Sequence, residues 1–106
     1  MEYILIHTPR GIIPPEMLSP AIEMGKNLVA KPGDFVHGGK LIASYAARNK
    51  SLIVCIWDAP SIEALCPLVE QLDLGGWDTD VMPAETFPAH LERTEKAFKA
   101  FKAMKK

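Results

Sequence analysis

Cysteine is scarce in this chain of 106 residues: Cys55 and Cys66 are the whole supply. Two thiols make neither a disulfide framework nor a zinc-ligand spacing. Both are expected reduced and buried, Cys55 in mid-strand between Val54 and Ile56 and Cys66 on the apolar side of a helix. A basic surplus is missing too. Twelve Lys and Arg stand against thirteen Asp and Glu, whereas a nucleic-acid binder draws its affinity largely from neutralising phosphates. No nucleic-acid partner is expected. Long apolar runs are absent as well: Met1-Glu2-Tyr3-Ile4-Leu5-Ile6 has no basic leader and its apolar stretch stops at His7. Neither a signal peptide nor a membrane span is expected, so the expectation is a cytoplasmic protein without a membrane partner. There is no glycine-rich phosphate loop, no Gly-x-Ser-x-Gly elbow and no His-Glu-x-x-His pair. His7, His37 and His90 share no metal-ligand spacing. No metal and no tightly held cofactor is expected.

What the chain does hold is apolar side chains, 48% of its residues. That is slightly rich for a single domain of this size, expected to span 1–106, because small domains leave much surface to solvate. Covering an apolar face with a second copy is one outlet, so a homodimer is expected.

Hydrophobic period divides the chain into elements. Tyr3 to Thr8 reads as a strand apolar on both faces, closed by Pro9-Arg10-Gly11. From Met17 the period becomes helical through Leu18, Ile22, Gly25 and Val29, with Met17, Met24 and Leu28 alongside. Ser19-Pro20 reads as the N-cap and first helical position. The stretch Pro14 to Leu18 before it is either a separate turn or a kinked extension, and Lys31-Pro32-Gly33 ends the helix. Leu41 to Arg48 and Ser51 to Asp58 form a hairpin about Asn49-Lys50, which puts Tyr45 opposite Val54 and Ile42 opposite Trp57. Both hairpin faces are apolar or small.

Ser61 to Leu72 is helical again, with Pro67 forcing a kink or a restart at that point. Gly75-Gly76 closes it, and Asp78 to Ala84 is a short edge strand, consistent with Pro83. Phe87, Leu91, Thr94, Phe98, Phe101 and Met104 recur at helical spacing on a terminal amphipathic helix over about 87–105. It is expected to dock by Phe98, Phe101 and Met104, on its own domain or across a dimer. Lys96, Lys99, Lys102, Lys105 and Lys106 form a basic, solvated stripe on it.

The order β-α-β-β-α-β plus a helix predicts an α+β, ferredoxin-like fold with a four-stranded antiparallel sheet over about residues 2–85. Helices cover one face of such a sheet, and the other is left bare in a monomer. The chain also resembles the dimeric α–β barrel superfamily. The likeness runs from Tyr3-Ile4-Leu5-Ile6 through Gly39-Lys40-Leu41 and Asp58-Ala59-Pro60-Ser61-Ile62-Glu63-Ala64-Leu65 to Asp80-Val81-Met82-Pro83-Ala84. It is nearest to an uncharacterised family of small bacterial proteins, and more distant from muconolactone isomerases and antibiotic-biosynthesis-type monooxygenases. The resemblance implies the fold, the dimer and a cavity for a small organic molecule. Isomerase- or monooxygenase-like chemistry lies within its scope, but those enzymes' catalytic motifs are not matched, so no active-site residue carries over.

Four residues are candidates for contact with such a ligand. His7 ends the first strand on the side of Tyr3 and Leu5, where it could act as a general base or simply bond the backbone. His37 precedes Gly38-Gly39, a pair that signals a bulge or a close backbone approach. Tyr45 and Trp57 point to opposite faces of the hairpin. Trp57, among Ser44, Ala46 and Cys55, is either the aromatic wall of a cavity or part of a core approached closely by a helix. Trp77, after the double glycine, is a lid or a packing plug. The expected function is binding of a small, partly apolar compound. The alternative is a non-enzymatic effector-binding or assembly module.

Overall fold

The two most apolar segments, β1 (Glu2–Pro9) and β3 (Ile53–Asp58), pair antiparallel at the centre of the sheet in this computed structural model, which describes residues 1–105. Strand β2 (Lys40–Ala46) flanks β3, and β4 (Trp77–Ala84) flanks β1, so the order is β2-β3-β1-β4, antiparallel throughout. Helix α1 (Pro15–Ala30) links β1 to β2, helix α2 (Cys66–Leu74) links β3 to β4, and α3 (Phe87–Met104) follows β4. This is the α+β, ferredoxin-like arrangement with one helix added. Lys106 lies outside the described residues.

The alternation of a strand places its side chains on two faces. Along β1, Tyr3, Leu5 and His7 are buried on the helix-covered side, while Ile4, Ile6 and Thr8 are half-buried on the other. Tyr3 stands opposite Trp57 and Leu5 opposite Cys55, so these four belong to one layer. Leu65 and Leu68 from the α2 region, with Val36 and Ala59 from the connections, complete the core. The second face carries Ile4, Ile6, Val54, Ile56 and Met82, with Tyr45 and Ala43 from β2. Among the described residues no element covers it.

Several local expectations are corrected. The hairpin keeps Tyr45 opposite Val54, but a bulge between Leu41 and Ala43 sets Leu41, not Ile42, opposite Trp57. Leu41 thereby joins the core layer and Ile42 swings out to solvent. The loop is also wider than two residues. Its last backbone contact is Ala47 N–H to the Leu52 carbonyl at 2.9 Å. A two-residue primed turn needs positive φ at its centre, and among the described residues none but glycine adopts it.

Of the two alternatives for Pro14 to Leu18 the structure takes the extension: α1 begins at Pro15 with Pro14 as its N-cap, so Ser19 is not the cap and Pro20 lies inside the helix. An interior proline removes the bond to the carbonyl four residues back, here that of Glu16. Packing also decides which face turns inward: Met24 and Leu28 lean on the core, while Leu18, Ile22 and Val29 are exposed. The Pro67 alternatives resolve as a restart, with a 3-10 turn over Glu63–Leu65 and Pro67 in the first turn of α2, where its missing N–H costs nothing. That restart leaves Cys66 exposed, against the expectation that both thiols are buried; Cys55 is buried.

The terminal helix is well formed. Thr86 caps it through its side chain, which accepts from Ala89 N–H at 3.3 Å. Glu85 accepts from His90 Nδ1 at 3.0 Å and from the Arg93 guanidinium, and these bonds, Arg93 first, hold its carboxyl below the usual range. Yet α3 buries no residue and packs substantially on no other element. Docking on its own domain is therefore overturned. The protein measures 64 × 30 × 21 Å because the helix stands clear of the sheet.

Candidate functional site

A cavity of about 410 Å³ lies between α1 and the helix-covered face of the sheet. It exists because the side chains facing it from α1 taper. Met24 and Leu28 reach the core and Met17 lines the rim, but Ala21 and Gly25 between them are too short to fill the space. A Cβ built on Gly25 meets nothing within 4 Å. Glycine in mid-helix is unfavourable relative to alanine by about 0.8–1.0 kcal/mol, so this position exchanges helix stability for open space.

The floor comes from the central strands, as His7, Ile53 and Cys55. His7 sits opposite Ile53 on β3 and opposite Thr79 on β4. Leu72, Leu74, Gly75 and Trp77 close the end next to α2 and β4, with Gln71 at the margin. The lining is almost entirely apolar and includes no Lys, Arg, Asp or Glu. Such a space favours an uncharged occupant, because burying an unpaired charge there would be strongly unfavourable.

His7 is the polar centre of this floor. Its ring is buried, and burial alone pushes its pKa below the ordinary histidine value, so the imidazole is neutral at neutral pH. Nδ1 lies 2.9 Å from the Thr79 hydroxyl. That contact fixes the ring plane and leaves Nε2 for whatever enters the cavity. Nε2 accepts or donates according to which way the Thr79 hydroxyl turns. Cys55 lies on the same floor, but desolvation raises its thiol pKa to about 11. It stays protonated and is not a nucleophile at neutral pH.

One end of the cavity is held by Arg10. Its guanidinium donates to Asp73 Oδ1 at 2.7 Å, to Asp78 Oδ1 at 2.8 Å and to the Asp73 carbonyl at 2.7 Å, while its backbone N–H donates to the Gly76 carbonyl at 2.8 Å. The turn that carries Gly75 and Trp77 is thereby tied to the end of β1. The acidic patch around Glu70, Asp73, Asp78 and Asp80 lines a separate, more open depression.

Of the four candidate residues, the structure brings only His7 to the cavity. His37 is exposed in the loop before β2, at the opposite end of the sheet. Tyr45 projects from the uncovered face and is 73% exposed. Trp57 lies in the core between Tyr3 and Leu41, fully buried, its indole N–H without a partner among the described residues. Gly38-Gly39 is a close backbone approach: a Cβ on Gly39 would stand 2.5 Å from Val36 Cγ1. Among the described residues no group of three or more His, Cys, Asp or Glu could hold a metal ion, and no helix is long and apolar enough to cross a membrane.

No family model matches this chain, and no curated protein does. The site therefore stands on its geometry. Sequence reasoning missed Met17, Gly25, Gln71 and the wall they form. A glycine within the helical apolar row was the available signal: a missing side chain on an inward face marks space.

Proposed function

We propose that this protein binds a small, uncharged and largely apolar organic molecule in the cavity between α1 and the sheet, with one polar group of the ligand bonded to Nε2 of His7. The observation that carries the reading is the pairing of about 410 Å³ of apolar space with one buried, oriented, neutral imidazole. Ligand sites are typically concave and mostly apolar, with a few placed polar groups that fix orientation. The resemblance of the Tyr3-Ile4-Leu5-Ile6 and Asp80-Val81-Met82-Pro83 strands to dimeric α–β barrel proteins supports the same reading, and with it a homodimer. If chemistry follows binding, the group suited to it is His7, which can take a proton at Nε2 or give one there. A proton shift within the ligand, as in an isomerisation, needs no more than that.

The test is a titration with N-phenyl-1-naphthylamine, a neutral dye whose emission rises in apolar surroundings. Saturable enhancement by the parent protein, abolished by Gly25→Leu, is the expected result. The Leu side chain would project from α1 into the space the dye occupies. Enhancement that is absent, or that survives unchanged in a folded Gly25→Leu variant, would remove the proposal.

A further inference from the structure

Two large apolar surfaces are left without partners among the described residues, and both lie outside the cavity. One is the uncovered sheet face of Ile4, Ile6, Val54 and Ile56, flanked by Met82 and Tyr45. The other is the row Phe87, Leu91, Phe98 and Phe101 on α3, every member more than half exposed. An isolated helix of this length is marginal in water and takes most of its stability from packing an apolar side. We infer that the uncovered sheet face is the seat for α3 of a second copy of this chain, two copies exchanging these helices about a twofold axis.

The dimensions agree. Eighteen helical residues at 1.5 Å each span about 27 Å, and the eight residues of β1 span about 26 Å at roughly 3.3 Å per residue. A helix about 10 Å across covers two strands spaced about 4.8 Å apart. The densest apolar strip of the face is two strands wide: Ile4 and Ile6 on β1 beside Val54 and Ile56 on β3.

Charge agrees as well. Lys96 and Lys99 pair with Glu92 and Glu95 on the far side of α3. Lys102 and Lys105 have no carboxylate partner among the described residues; they lie over the Phe98 and Phe101 rings, 5.3 and 4.8 Å from the centroids. They therefore border the apolar row. On the sheet face, Asp80 and Glu2 lack a cationic partner among the described residues, and the one lysine there, Lys40, sits at a corner opposite Asp58. A helix bordered by free lysines thus meets a face bordered by free carboxylates.

The occupant is a second copy rather than the chain's own helix because of how α3 leaves the sheet. Glu85, bonded to His90 and Arg93, and the Thr86 cap fix the first turn of α3 as a continuation away from β4. Two sheets packed face to face would cover the sheets but leave both α3 rows in water. Exchange covers all four surfaces at once. The inference goes beyond the cavity reading and does not depend on it.

Two lesions and their mixture test it. The first variant, Phe98→Ser with Phe101→Ser, damages the helix; the second, Ile6→Lys, damages the face. Tyr45→Lys, at an already exposed position, is a second lesion of the face that leaves the core untouched. Sedimentation equilibrium gives the mass, and a cooperative melt with parental far-UV dichroism verifies folding. The parent should be a dimer, and each variant alone should dissociate at concentrations at least about tenfold higher than the parent, as expected when buried anchors of an interface are lost. Mixing the helix variant with a face variant should form a one-to-one heterodimer tighter than either variant alone, because it retains one intact helix on one intact face. A monomeric parent overturns the inference. So does a helix variant that dimerises like the parent, or a mixture that restores nothing, since face-to-face sheets need both faces intact.

Discussion

Replacing Gly25 by alanine should make the protein more stable and its cavity smaller. Gly25 lies in the interior of α1, with φ in the ordinary helical range and no atom within 4 Å of the Cβ it lacks. Alanine there removes the backbone-entropy cost of glycine, about 0.8–1.0 kcal/mol on host–guest scales, partly by narrowing the unfolded ensemble. No steric penalty offsets this gain, because the new methyl enters empty space. For a domain of this size, 1 kcal/mol corresponds to an increase in Tm of roughly 4–8 °C. Thermal unfolding followed by circular dichroism at one protein concentration measures it. The same methyl stands inside the proposed site, so the Gly25→Ala protein should bind the naphthylamine dye more weakly while melting higher. A lower Tm would refute the reasoning outright, since it would mean that α1 lies close enough to the sheet for a methyl to clash and that the cavity is not there.

Three further outcomes follow from other residues. Burial depresses the His7 pKa below its unfolded value of 6.5, so the unfolded chain takes up the proton first. His7 should therefore contribute a loss of stability as pH falls below about 6.5 toward the lowered folded pKa. Urea melts from pH 7.5 down to 5 should have a shallower dependence in His7→Gln; an identical slope would show that His7 is not the titrating group. Cys66 is exposed and Cys55 buried with its pKa raised to about 11. One thiol per chain should react rapidly with a disulfide reagent and the second only on unfolding; two fast thiols would contradict the core assignment. Gly39→Ala should destabilise by about 1–3 kcal/mol, typical of forced overpacking, because its Cβ would stand 2.5 Å from Val36 Cγ1. A denaturant melt unchanged from the parent would mean that Val36 yields freely.

Element types and their order were legible because apolar spacing reports directly on backbone period. The edge position of β4 was legible from Pro83, and the helical restart at Pro67 stood among the two alternatives that residue allowed. What the spacing did not carry was registration between elements. The bulge at Ile42 moves one residue to the other face of β2 without changing composition, and nothing in Leu41-Ile42-Ala43 marks it. Neither the start of α1 nor its inward face could be read, since Leu18, Ile22 and Val29 and equally Met17, Met24 and Leu28 recur at helical spacing. Ser19-Pro20 offers a good local start, but Pro14-Pro15 offers one a turn earlier, and the longer helix gains backbone bonds. The cavity was illegible for a related reason: a row of apolar residues predicts contact with a core, not its distance from it. His7 could be selected because a histidine in an apolar strand is conspicuous, whereas Met17 and Leu28 looked like ordinary core.

The Arg10 tie makes the two ends of the cavity mechanically unequal. On the side of Gly75 and Trp77 the wall is cross-braced to β1 by five hydrogen bonds from one residue, the fifth running from the Arg10 guanidinium to the Trp77 carbonyl at 3.2 Å. The opposite wall is α1, which buries no residue completely and has Pro20 interrupting its backbone ladder. Segments with few buried contacts open at the smallest free-energy cost. If the cavity binds a ligand as proposed, α1 is therefore the wall that yields most readily to its entry.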